Sequence, residues 1–162
     1  DDGEWITWTE INSHLARLEF QARFPNLDIE LVPIFQDLLT TAGDYYDLTG
    51  RHLQVYGDLG ELYGAIVYGI KLHKNYAQGS DGKLGDHFVE VKTITPFKSS
   101  DTITLNLKRN FSKVLIVKID NHFEVQGKLI DRKTLPKVKG DTLRLNWDDF
   151  PSESEGRIIG RD

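Results

Sequence analysis

Three side chains in Gly79–Thr93, which runs Gly-Ser-Asp-Gly-Lys-Leu-Gly-Asp-His-Phe-Val-Glu-Val-Lys-Thr, have the types and spacing to do chemistry. They are Asp81, Glu90 and Lys92. Gly79, Gly82 and Gly85 predict a tight β-hairpin, with Asp81 near the end of one strand and Glu90 and Lys92 on the next. Alternate residues of a strand share a face, so Glu90 and Lys92 project together while Val89 and Val91 turn toward the core. Two carboxylates and an amine gathered in this way can hold a divalent cation beside an activated water, the chemistry of phosphodiester cleavage.

An acid-x-Lys pattern is a weak signal by itself, and the chain also carries Asp81-Gly-Lys83 and Asp131-Arg-Lys133. The first is turn chemistry, and the second follows a strand, precedes Pro136 and reads as a solvated loop. Only Glu90-Val-Lys92 lies inside a β-branched run. Its bland interpretation is the wet face of a half-buried sheet. Three features weigh against that. Asp81 can approach Glu90 across the hairpin. Glu61 is the only formal charge between Leu59 and Ile70, and a buried carboxylate is costly unless paired or metal-bound. Lys108-Arg109-Asn110-Phe111 is a basic segment suited to a phosphate backbone.

Weaker candidates surround this set. Asp86 shares strand parity with Glu90 and could replace Asp81, although Gly85-Asp86 reads better as the turn. His73 and His87 border the motif as general bases, ligands or simply solvated side chains. His14, His52 and His122 are scattered and form no zinc set. Tyr45, Tyr46 and Tyr56 could stack on bases or merely pack. Neither a P-loop nor a Gly-x-Ser-x-Gly elbow is present.

The positioning elements run helices first, then strands. Thr9 reads as an N-cap, and Ile11, Leu15, Leu18 and Ala22 recur at helical spacing until Pro25. A second helix spans Ile29 to Leu39, with Pro33 near its first turn or kinking it. A loop rich in Asp, Tyr and Gly follows over Gly43–Arg51. A third helix, about Asp58 to His73, is apolar enough to be buried on most sides. From Tyr76 the period becomes two, with strands expected at Tyr76–Asp81, His87–Ile94, Thr102–Leu107, Val114–Ile119, His122–Ile130 and Thr142–Asn146. Val114-Leu115-Ile116-Val117 has the composition of a central strand buried on both faces.

The 162 residues suit one domain, and 39% hydrophobic with 28% charged content suits a globular protein. Without cysteine there is no disulfide framework, thiolate site or cysteine nucleophile, which fits a cytoplasmic protein. No apolar run reaches spanning length and nothing at the start resembles a signal peptide. The net charge is −5, but acids crowd both ends and bases dominate between Lys71 and Lys139. The middle of the chain is therefore net basic, as the footprint of a nucleic-acid binder usually is.

Glu61, Asp81 and Glu90-x-Lys92 together resemble the PD-(D/E)xK, or restriction-endonuclease-like, nuclease superfamily. Gly57-Asp-Leu-Gly-Glu61-Leu-Tyr-Gly-Ala65 resembles its opening helix, and Gly79-Ser-Asp81 with Val89-Glu-Val-Lys-Thr93 resembles its metal hairpin. Asn110-Phe-Ser-Lys-Val-Leu-Ile-Val-Lys-Ile-Asp120 resembles the strand that follows, and the Gly-Ser-Asp-Gly…Val-Glu-Val-Lys-Thr core resembles that of small bacterial proteins. The resemblance covers about Gly57 to Pro136, with Ser80 where a proline is usual.

The resemblance implies an α/β (α+β) fold, a mixed central sheet flanked by helices. It divides the chain into a helical N-terminal region (1–56), a nuclease-like core (57–150) and a polar tail (151–162). Asp81 and Glu90 would ligate Mg²⁺ or Mn²⁺, with the Val91 carbonyl as a further ligand. Lys92 would position or deprotonate the attacking water, and Glu61 would hold a second metal or a metal-bound water. Thr93, Lys108, Arg109 and Lys113 are the phosphate-contact candidates. The implied activity is a metal-dependent endonuclease, with DNA favoured over RNA. A homodimer would supply two active sites, and the N-terminal helices would be its interface. The alternative is an inactive nuclease-like domain that binds DNA or protein.

Overall fold

A computed structural model describes residues 8–23, 25, 28–74 and 79–151. Three helices precede the strands: α1 (Trp8–Arg23), α2 (Leu31–Thr49) and α3 (Tyr56–Tyr63), the last running on as a π-helical turn over Gly64–Tyr68. Five strands form a mixed sheet in the order β1 (Lys71–Leu72), β2 (Gly82–Leu84), β3 (His87–Ile94), β5 (Lys113–Ile119), β6 (Val125–Asp131). Only the β3–β5 pair is parallel. The remaining strands, β4 (Thr102–Asn106) and β7 (Thr142–Asn146), pair as a separate antiparallel ribbon. The coarse expectation of a mixed sheet with helices therefore holds. Among the described residues no helix is long and apolar enough to cross a membrane.

Each sheet face carries its own core. On one side Val89, Val91, Leu115, Val117 and Ile119 meet Phe35, Leu39, Leu59, Tyr63 and Ile66 from the helices. On the other side Ile94, Val114, Ile116 and Ile130 meet Ile103, Leu105, Leu143, Leu145 and Trp147 from the ribbon. Residues Val114 to Val117 are all fully buried, as expected of a strand covered on both faces. The cover on the second face overturns the idea of Glu90 on a wet surface. Glu90 pairs in register with Val114, so it points toward the ribbon side and is 2% exposed.

Two helix boundaries differ from expectation. The expected loop Gly43–Arg51 is helical to Thr49: the buried stripe Val32, Phe35, Leu39, Ala42, Gly43 reaches its first residue, and the helix runs on to the left-handed Gly50. Packing of that stripe outweighs the poor helix propensity of Gly43 and Asp44. Pro33 sits in the first turn of α2, where a missing N–H costs nothing. The third helix does not reach His73. It ends at Gly69 (φ 73°), and Lys71–Leu72 instead pairs with β2.

Closeness and turning at the motif depend on two glycines. A Cβ on Gly60 would lie 2.0 Å from Thr93 Oγ1, so only glycine lets α3 lie this close to β3. Gly85 (φ 58°) takes the first central position of the two-residue turn between Leu84 and His87, where positive φ matches the strand twist. The turn is thus Gly85-Asp86, as expected. The expected strand Tyr76–Asp81 differs: residues 76–78 lie outside the described residues, and β2 begins only at Gly82.

Candidate active site

The site forms where β2 leaves β3. The last strand pair is Gly82 with Val89. One residue further, Asp81 N–H donates to Val89 O (3.0 Å), and the Asp81 carboxylate accepts the N–H of Val91 at 2.7 Å. A side chain thus continues the ladder where the strand stops, pinning Asp81 beside Glu90. His73 N–H donates to Asp81 O (3.0 Å) and holds it from the other side.

Asp81 and Glu90 are close enough for a direct carboxyl–carboxyl hydrogen bond. Burial first, then that bond and the Asp81 charge, push the Glu90 pKa up to about 8, against the pull of Arg109 and Lys92. Arg109 reaches both acids, with Nε 2.5 Å from Glu90 Oε2 and Nη2 3.7 Å from Asp81 Oδ1. The Glu90 contact is close but misaligned: Oε2 and Nε are both buried, and neither makes a hydrogen bond.

A cavity of about 390 Å³ is lined by Val91, Lys92, Thr93, Thr95 and Gln54 and, from α3, by Gly57, Asp58 and Glu61. Glu61 is half-buried rather than buried. Its pKa is raised by burial, then by the charges of Asp81 and Asp58. The fold therefore brings Asp81, Glu90, Lys92 and Glu61 near one another: the Asp81 charge acts on both Glu61 and Glu90, and Lys92 acts on Glu90. Among the described residues, however, no three His, Asp or Glu side chains converge closely enough to form a metal cluster.

The other candidates divide. Thr93 lies against Gly60 and lines the cavity. Lys113 is held by Asp131 (2.6 Å), while Lys108 meets Asp141 (3.3 Å) at the open surface. Asp86 is in the turn and exposed. His73 and His87 bond Ser80 and Ser112 respectively. Tyr56 is buried, and Tyr46 stacks on His52 with centroids 4.5 Å apart.

Asp131-Arg-Lys133 is no solvated loop. Arg132 is partly buried and donates to the carbonyls of Leu107 (2.6 Å), Arg109 (3.0 Å) and Phe111 (3.1 Å), with its guanidinium over the Phe111 ring at 4.3 Å. It thereby fixes the loop that carries Arg109. Sequence reasoning found Arg109 but aimed it at a phosphate, and it missed Asp58. A residue pair separated as widely as Arg109 and Glu90 leaves no local periodic signal.

The acid pair fits a divalent ion on one observation. Glu90 Oε2 is a buried acceptor without a hydrogen bond, next to a second carboxylate. Hard cations take such oxygen donors. No protein-family model matches the chain, and comparison with curated proteins also finds no match.

Proposed function

We propose that this protein is a Mg²⁺-dependent endonuclease of the PD-(D/E)xK type that hydrolyses phosphodiester bonds in DNA. One observation carries the proposal: Asp81 and Glu90 meet where β2 and β3 separate, with Lys92 lining the adjoining cavity. A divalent ion there would supply positive charge against the charge developing on the phosphate and would make a water more acidic. Asp81 and Glu90 would hold it, with the Val91 carbonyl as a further donor. Lys92 Nζ orients the attacking water and shields the phosphate charge. Glu61, whose pKa is raised, accepts a hydrogen bond or a proton from water on the α3 side. Thr93 and Lys108 contact the backbone of the substrate. A homodimer would bring two such sites to the two strands, and Leu15 (55% exposed) and Leu18 (49% exposed) on α1 offer apolar surface for it.

The test is incubation of plasmid, linear and single-stranded DNA with Mg²⁺ or Mn²⁺, comparing wild type with Glu90→Ala and Lys92→Ala. Metal-dependent cleavage lost in both variants supports the nuclease. A second reading, an inactive nuclease-like domain that binds DNA or protein, draws on the missing three-ligand cluster among the described residues. Binding without cleavage would favour it.

A further inference from the structure

Two buried or half-buried acids face one another at the end of β2, and the cation between them belongs to the protein itself. Arg109 Nε lies 2.5 Å from Glu90 Oε2, and Nη2 lies 3.7 Å from Asp81 Oδ1. A permanent buried arginine–carboxylate pair is normally aligned and often bidentate, because desolvation is offset only by good hydrogen bonds. This one is neither. Glu90 Oε2 and Arg109 Nε both lack a hydrogen bond, and the second contact is long.

The backbone under Arg109 is held firmly. Arg132 donates to the carbonyls of residues 107, 109 and 111, and Arg109 N–H itself donates to Asn106 O at 3.2 Å. The Arg109 side chain is still 32% exposed. The main chain of Arg109 is thus fixed, while its side chain reaches solvent over part of its surface, although Nε itself is buried. Swinging the side chain outward needs no change in the loop backbone.

We propose that Arg109 is a built-in counter-cation that holds the divalent-ion seat in the metal-free protein and leaves Glu90 when the ion binds. This rests on Asp81 and Glu90 being the metal ligands. Arg109 supplies positive charge beside the two close acids until a stronger cation arrives. It also sets a threshold: only an ion that binds oxygen more strongly than a guanidinium does can take the seat.

The experiment titrates Mn²⁺ alone into the full chain by calorimetry, with wild type, Arg109→Gln, Arg109→Lys and Glu90→Gln, and records thermal melts with and without the ion. Arg109→Gln should bind Mn²⁺ at least about tenfold more tightly than wild type, or about 1.4 kcal/mol. Arg109→Lys keeps the competing charge and should stay near wild type, while Glu90→Gln should lose binding. Mn²⁺ should raise the melting temperature of Arg109→Gln by more than that of wild type. An Arg109→Gln affinity equal to or weaker than wild type, with Glu90→Gln still blind to Mn²⁺, overturns the counter-cation and leaves the site intact. Arg109→Gln that stays unfolded even with Mn²⁺ also overturns it, because Arg109 would then be a structural partner. Wild type that binds no Mn²⁺ overturns both the site and the counter-cation.

Discussion

Among the described residues two charged side chains are buried, Glu90 on β3 and Lys128 on β6, and the protein treats them differently. Lys128 Nζ donates to the carbonyls of Trp147 and Phe150, each at 2.8 Å, and sits 4.1 Å from the Trp147 ring centroid. It is fully partnered, and it ties the end of the β7 ribbon to the main sheet. Glu90 is buried just as deeply but retains an oxygen without a hydrogen bond, and its ion pair with Arg109 is misaligned. A buried charge satisfied by the main chain serves the fold. A buried carboxyl with such an oxygen, beside a second acid, is where the proposed function puts the divalent ion.

Substitution in the two regions should differ most sharply in catalysis. Lys92→Ala should reduce DNA cleavage by about 10²–10⁴-fold, the usual range for a positioned acid–base group. Lys128→Met should leave cleavage per folded molecule unchanged. A cleavage assay on purified, folded protein checks both.

Stability should reverse that order. Lys128→Met orphans two carbonyls and should lower the unfolding free energy by about 2–4 kcal/mol, read by urea denaturation. Glu90→Gln removes an ionisable group and should leave stability equal or higher at pH 8. Loss of stability in Glu90→Gln comparable to that of Lys128→Met would erase the contrast.

The pH dependence sharpens the same point. The Glu90 pKa is about 8 in the folded protein, above its ordinary 4.5. Between those values the native state binds more protons than the unfolded state, so this group makes stability fall as pH rises. The effect begins above about pH 4.5 and levels off beyond about pH 8. Denaturation across that window should show the slope in wild type and lose it in Glu90→Gln.

The smallest effect belongs to the open surface. Lys108 pairs with Asp141 with both side chains largely exposed. Lys108→Ala should change stability by less than about 1 kcal/mol. If it touches a phosphate, the slope of log affinity for DNA against log salt should shallow by about one.

The sequence announced the sheet more clearly than the helices. Strand β3 and its turn were legible because alternation and the Gly85-Asp86 pair are local signals. The end of α2 was not, since the Asp-Tyr-Gly composition of residues 43–50 suggests a loop and the residues past Gly43 are mostly exposed, so no burial pattern marks them as helix. In the site, spacing placed Asp81 beside Glu90, and parity put Glu90 with Lys92. Parity did not reveal that the β4–β7 ribbon covers their face, nor that Arg132 clamps the Arg109 loop. Both depend on contacts between distant segments.

The most direct test of the central claim is a crystal of the protein soaked in Mn²⁺, with anomalous diffraction collected at the manganese edge. The expected result is a peak bonded to carboxylate oxygens of Asp81 and Glu90 at about 2.0–2.3 Å, with the Arg109 guanidinium moved off Glu90. A fully occupied crystal with no peak between those acids, and Arg109 still on Glu90, would contradict it.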